Sequence, residues 1–301
     1  MAPAACGTAF DRNPEGNRIL GQRHRRHESA KRHLTQRTQA MTDKILTEKF
    51  GEIVRIIFSQ PEKRNAVSLE IREAVEAALG AYEDDPEVRI LILFGAGGKA
   101  FVSGADVSKF ESERASEECV AHYNATTKRV YDKLEAFPKP TIAQIDGFCI
   151  GGGVVLSLSC DLRICGKRSQ FAVPAAKLGL GYGYPGIKRL VNIVGPSFAK
   201  EIFFTARRFD AEEARVKGLV NRVVEDGKVA DAAEETAKMI AANAPMTVGS
   251  VKLIVGETVK DETAADLAEC ERRVKASFDS KDYIEGRRAF LEKRKPQFVG
   301  A

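Results

Sequence analysis

No apolar run in this chain of 301 residues reaches the ~18 residues that a helical membrane span requires, so no membrane partner is expected. Its six cysteines, Cys6, Cys119, Cys149, Cys160, Cys165 and Cys270, form no CxxC pair. Most sit in apolar runs, which predicts buried free thiols in a reducing cytoplasm and no metal site. Histidine is scarce: three of the four, His24, His27 and His33, fall in the first forty residues. His122 is thus the only candidate base for a Ser–His or Cys–His pair, and its helical setting beside Tyr123 points to a surface or packing role. There is no G-x-x-x-x-G-K-[ST] loop. Gly151-Gly-Gly-Val-Val-Leu156 has leucine where a dinucleotide loop needs its last glycine.

The basic balance is local. Residues 1–40 hold eight Lys and Arg against three acids, while the remainder balances 39 against 39. The folded part is neutral overall and carries no nucleic-acid footprint. Residues 1–40 lack hydrophobic periodicity and read as a disordered basic leader, or as sequence upstream of a natural start at Met41. A transit peptide is the competing reading, because the segment is Arg-rich and acid-poor.

Strand and helix patterns alternate, which implies an α/β fold. Apolar runs at 53–58, 89–94, 141–145, 162–165 and 171–173 read as strands. Ser68 caps an amphipathic helix to about Tyr82, and 111–134 reads as mostly helical. Beyond Val229 the pattern is almost purely helical. The expected organisation is therefore an α/β core over 41–228 and a helical part over 229–301.

Two glycine turns follow buried strands: Phe101-Val-Ser-Gly-Ala-Asp106, and Gly151-Gly-Gly153 leading into an apolar helix. Either can be a mere tight turn. Together they can aim two backbone N–H groups at one carbonyl oxygen, since glycine admits close approach and such donors hold a negative oxygen.

The segments Arg64-Asn-Ala66, Ala100-Phe-Val-Ser-Gly-Ala-Asp-Val107, Lys139-Pro-Thr-Ile-Ala-Gln-Ile-Asp-Gly147, Gly151-Gly-Gly153 and Ser159-Cys-Asp-Leu162 resemble the crotonase superfamily, the enoyl-CoA hydratases and isomerases. So do Ala211-Glu-Glu-Ala-Arg-Val-Lys-Gly-Leu-Val-Asn221 and the run from Glu285 to Arg294. The resemblance spans residues 45 to 299. It implies a spiral of β-β-α turns with a helical C-terminal part, and an acyl-CoA thioester as substrate. Coenzyme A would enter as part of the substrate, with no other cofactor. It also implies a homo-oligomer, a trimer or dimer of trimers. By the same resemblance the oxyanion donors are the N–H groups of Ser103 and Gly152. The adenine end of coenzyme A would lie near Lys63, Ala66, Ser103, Ala105 and Asp106. Phe290 and Lys293 would reach a neighbour's site, the alternatives being helix packing and a solvated charge.

One departure is serious. The two glutamates by which hydratases of this family activate water fall at Val155 and Ala175. Ordinary hydration should therefore be disabled, unless another acid such as Glu111 or Glu113 swings over the pocket. The loop Leu178-Gly-Leu-Gly-Tyr-Gly-Tyr-Pro-Gly186 resembles that of methylmalonyl-CoA decarboxylases, with Tyr182 at the position of their active-site tyrosine. Tyr182 and Tyr184 can equally be walls of the acyl pocket. Three functions stand open: a hydratase or isomerase, a decarboxylase of malonyl-type acyl-CoAs, and an acyl-CoA binder without turnover.

Overall fold

Runs that are apolar almost throughout form strands covered on both faces, and four of them make the centre of this molecule. The computed structural model describes residues 37–301. Its larger sheet has seven strands: β1 (Arg37–Ala40), β2 (Ile45–Phe50), β3 (Ile53–Phe58), β4 (Ile90–Gly95), β6 (Thr141–Ile145), β8 (Leu162–Gly166) and β11 (Arg222–Val224), in that spatial order. The β1–β2 and β2–β3 pairs are antiparallel, and from β3 to β11 the pairing is parallel. A second sheet of four short strands contains β5 (Ala100–Val102), β7 (Phe148–Ile150), β9 (Gln170–Ala172) and β10 (Phe209–Asp210).

The helices are α1 (Leu69–Glu83), α2 (Phe110–Glu113), α3 (Glu117–Glu135), α4 (Gly152–Leu158), α5 (Tyr184–Thr205), α6 (Ala211–Val216), α7 (Val229–Ala241), α8 (Pro245–Thr258), α9 (Leu267–Phe278) and α10 (Lys281–Leu291). The pairs β4–β5, β6–β7 and β8–β9 repeat one pattern. The first strand joins the large sheet, the second joins the small one, and helix follows. This is the expected α/β spiral of β-β-α turns.

Local chemistry explains the elements. Ser68 accepts the Ile71 N–H at 3.4 Å, a cap worth about 1 kcal/mol. Helix α1 then buries Ile71, Ala74, Val75, Ala78 and Leu79 at helical spacing. The helix expected over 111–134 is broken after α2, because Ser116 caps α3 by accepting the Cys119 N–H at 3.2 Å. Of the described cysteines, Cys149, Cys160 and Cys165 are buried, and burial pushes the Cys160 and Cys165 thiols up to about 12. His122 is exposed, 3.8 Å from Glu73.

Two expected boundaries need correction. Arg37–Ala40, placed in the leader, pairs with β2; residues 1–36 lie outside the described residues. The break expected at 228 is not a break in packing, since residues 37–301 form one compact unit. Helix α7 lays Val229, Ala232, Ala233 and Ala237 on Ile53, Ile90, Ile92, Ile142 and Ile164 of the large sheet. Helix α8 is tied in by Lys252, whose ammonium donates to Asp161 at 2.8 Å and to the Lys139 carbonyl at 2.9 Å. Among the described residues no single helix is long and apolar enough to cross a membrane.

Candidate active site

The site begins at the loop after β3. Arg64 and Asn65 take left-handed backbone angles, φ 53° and 56°, which costs a non-glycine residue roughly 1–2 kcal/mol. Asn65 offsets this with its side chain, 1% exposed. It accepts the Gln60 N–H at 3.0 Å and donates to the carbonyls of Ala96 at 3.0 Å and Ala100 at 2.8 Å. The loop is thereby held against β5, and its carbonyls face the first glycine turn.

Which N–H of that turn remains free follows from this contact. The Ser103 N–H donates to the Arg64 carbonyl at 3.1 Å and the Asp106 N–H to the Val67 carbonyl at 3.1 Å, while the Gly104 carbonyl accepts from Val67 at 2.8 Å. Val67 and Ala105 form a parallel bridge. The N–H groups of Gly104 and Ala105 have no acceptor among the described residues, and of the two it is the Ala105 nitrogen that faces the second turn. Ser103 is therefore corrected as a free donor: its N–H is already used.

The second turn supplies the partner. Gly151 adopts φ 54°, ψ −114°, a conformation that glycine permits, and its N–H is anchored on the Ala172 carbonyl at 2.8 Å. The next N–H, that of Gly152, also has no acceptor among the described residues. A Cβ on Gly152 would stand 3.9 Å from the Ala105 nitrogen and 3.4 Å from the Tyr131 hydroxyl. The free N–H groups of Ala105 and Gly152 thus border one space, and such a pair can hold a single oxygen. A crevice of about 10 Å³ adjoins it, lined by Arg72, Val75, Gly104, Tyr131, Gly152 and Leu156 among others. The Tyr131 hydroxyl donates to the Gly152 carbonyl at 3.3 Å; burial raises its pKa, and nearby Arg72 works against that rise.

The other expected residues divide. Lys63 donates to Asp106 at 2.8 Å and to the Ser108 hydroxyl at 3.3 Å. Asp106 closes its turn by accepting the Ser108 N–H at 3.1 Å. Burial pushes the Asp106 carboxyl up, but the bonds from Lys63 and Ser108 outweigh it and the net shift is downward. Ala66 is buried beside them. Val155 on α4 and Ala175 after β9 are each 5% exposed, so the apolar side chains at both glutamate positions are packed. Tyr182 is half-buried, edge-on to Phe203 with ring centroids 4.9 Å apart. A Cβ on Gly186 would lie 3.7 Å from Tyr182 and 3.8 Å from Val155, so these two flank the same spot. Burial drives the Tyr182 phenol well above its ordinary pKa.

Tyr184, 74% exposed at the start of α5, does not line the crevice. Phe290, 84% exposed on α10, and exposed Lys293 just beyond that helix do not line it either. Glu113 accepts the Leu69 N–H at 2.8 Å, and Glu111 is exposed, so neither acid borders the crevice. Sequence reasoning missed Tyr131 and Arg72. Arg72 left a signal: it is a charged residue next to Ile71 on the apolar face of α1.

Fold and site define a class, the crotonase-type α/β spirals in which two glycine turns meet at one pocket. Residues 48–301 match the family model described as enoyl-CoA hydratase/isomerase. A short-chain-enoyl-CoA hydratase from Clostridium acetobutylicum is 34% identical over 83% of this chain and 95% of its own length. A carnitinyl-CoA dehydratase from Salmonella arizonae is 33% identical over 86% of this chain and 100% of its own. The crystal structure of an enoyl-CoA hydratase/carnithine racemase from Magnetospirillum magneticum superposes with a TM-score of 0.82 at 36% identity, covering 88% and 97% of the two chains. The chain belongs to the enoyl-CoA hydratase/isomerase family and is an acyl-CoA-processing enzyme.

Proposed function

We propose that the chain holds a thioester carbonyl oxygen between the N–H groups of Ala105 and Gly152 and stabilises the enolate formed there. The observation that carries this reading is the pair of unused donors bordering one space. Fixed donors aimed at a developing oxyanion supply roughly 3–4 kcal/mol each toward the barrier. Lys63, Ala66 and Asp106 would meet the adenine end of coenzyme A.

The reaction that suits this site is loss of CO2 from a malonyl-type acyl-CoA. With Val155 and Ala175 apolar, no carboxylate stands at either position to activate water. Decarboxylation needs none. The bond to the carboxylate breaks, its electron pair enters the thioester as the enolate, CO2 leaves, and a proton from solvent ends on carbon. Tyr182 keeps its proton at neutral pH, so it orients the carboxylate as a hydrogen-bond donor. Hydration is the second reading, favoured by the names of the relatives.

Incubation with methylmalonyl-CoA and crotonyl-CoA, followed by mass, decides between them. CO2 loss weakened by Tyr182→Phe is expected, with little hydration until Val155→Glu and Ala175→Glu are combined. Vigorous native hydration would overturn the decarboxylase reading. Conversion of neither would leave a protein that only binds acyl-CoA. The exposed apolar residues of α9 and α10, among them Phe278, Ile284, Phe290 and Leu291, would pack on neighbouring subunits of a trimer or dimer of trimers. That assembly would bring Phe290 and Lys293 to an adjacent site.

A further inference from the structure

Arg72 is 3% exposed, yet no carboxylate pairs with it among the described residues. One terminal nitrogen donates to the Val67 carbonyl at 3.2 Å and the other to the Tyr123 hydroxyl at 2.8 Å. Its Nε–H has no partner among the described residues. The acids on the same helix are engaged elsewhere: Glu70 with Lys44, Glu73 with His122, Glu76 with Arg129. On α3, Asp132 and Glu135 pair with Arg189. The guanidinium lies over the Tyr123 ring, 4.6 Å from its centroid, but a buried guanidinium with no carboxylate still costs several kcal/mol, which an anion formed beside it would offset. Its position says where that anion forms. Arg72 lines the crevice together with Gly104, Tyr131 and Gly152. It also grips Val67, the residue bridged to Ala105. The crevice, at about 10 Å³, has room for a water-sized group. That is the size of a single oxygen.

We infer that the unpaired charge of Arg72 stabilises the enolate oxygen held by Ala105 and Gly152. This rests on the enolate reading above and adds to the two backbone donors a full positive charge. A carboxylate beside Arg72 would neutralise that charge before the enolate formed. The unpaired state is therefore what the role requires.

The test uses a coenzyme A thioether bearing a nitroalkyl group, whose nitronate is an anionic mimic of the enolate and absorbs in the ultraviolet. The full chain should lower the pKa of the bound probe, because it favours the anionic form. In Arg72→Met that pKa should rise toward the free value by about one unit, a tenfold loss of nitronate affinity. Binding of a neutral alkyl thioether should stay within about twofold. Arg72→Lys should recover part of the shift. Turnover in Arg72→Met should fall at least tenfold with KM nearly unchanged. If methionine prevents folding, Arg72→Gln serves, since its amide is still a donor for Tyr123. Equal weakening of both thioethers, or an unchanged nitronate pKa, would show a purely structural role and overturn the inference. No shift of the probe by the wild-type chain would instead remove the enolate reading itself.

Discussion

Replacing Gly152 by alanine separates stability from activity. The added methyl would meet the Tyr131 hydroxyl at 3.4 Å, the Ala105 nitrogen at 3.9 Å and the Gly104 Cα at 4.0 Å. These are ordinary contacts, so no backbone has to move. Gly152 is the first residue of α4, where alanine is the better helix former by up to about 1 kcal/mol. Stability should hold within about 1 kcal/mol, a change of roughly 2–4 °C in Tm for a chain of this size. Yet the methyl enters the space that both free N–H groups border. Losing one such donor costs roughly 2.7–4 kcal/mol, or about 10²–10³ in kcat. Turnover of the converted acyl-CoA, followed by mass beside a thermal melt, should show kcat down by at least ~100-fold with the melt nearly unmoved. Ser103→Ala is the control. The Ser103 N–H is committed to Arg64 and its hydroxyl makes one 3.3 Å contact with the Lys63 carbonyl, so activity should stay close to wild type. Near-native kcat in Gly152→Ala with an intact melt would refute the reasoning, as would a large loss in Ser103→Ala.

Other outcomes follow from the same geometry. Asn65→Ala strands three partners, Gln60, Ala96 and Ala100, and should cost about 2–4 kcal/mol; a urea midpoint close to wild type would contradict this. The Asp106 carboxyl is depressed below its ordinary 3.8, so its contribution is present above that value and is lost as pH falls through the folded pKa. Wild type should accordingly lose stability on acidification more steeply than Asp106→Asn, a difference that melts across pH 2–6 can read. Phe290→Glu with Leu291→Glu, on α10, should lower the mass seen by light scattering of a chain starting at Met41; a mass equal to one chain already in wild type would argue against the assembly.

The sequence made the spiral legible because its central strands are unbroken apolar runs between turn residues. The expected limits of β3 and β6 coincide with the observed ones. Short strands such as β5 and β7, three residues each, are too brief to show a period. Helix α5 hid behind Pro185, Gly195 and Pro196. Pro185 sits in its first turn, where proline is tolerated, and Gly195 with φ 74° marks a kink. At the site the two glycine turns were readable, but the free donor on the first was not. That depends on the Arg64 carbonyl reaching Ser103 across the fold, which spacing along the chain does not encode. Arg72 was hidden because an amphipathic pattern averages over one discordant residue.

The seat of α7 on the large sheet has a consequence for how the protein is made. Synthesis reaches Val229 long after Ile53, Ile90, Ile92, Ile142 and Ile164 have left the ribosome. Until the helix arrives, those five isoleucines form a bare apolar face on a nascent sheet, and contacts closing across so long a stretch form slowly. A chain cut near 228 would keep every glycine turn and still expose that face, so it should aggregate. The last quarter of the sequence is thus needed to cover a face laid down between residues 53 and 164.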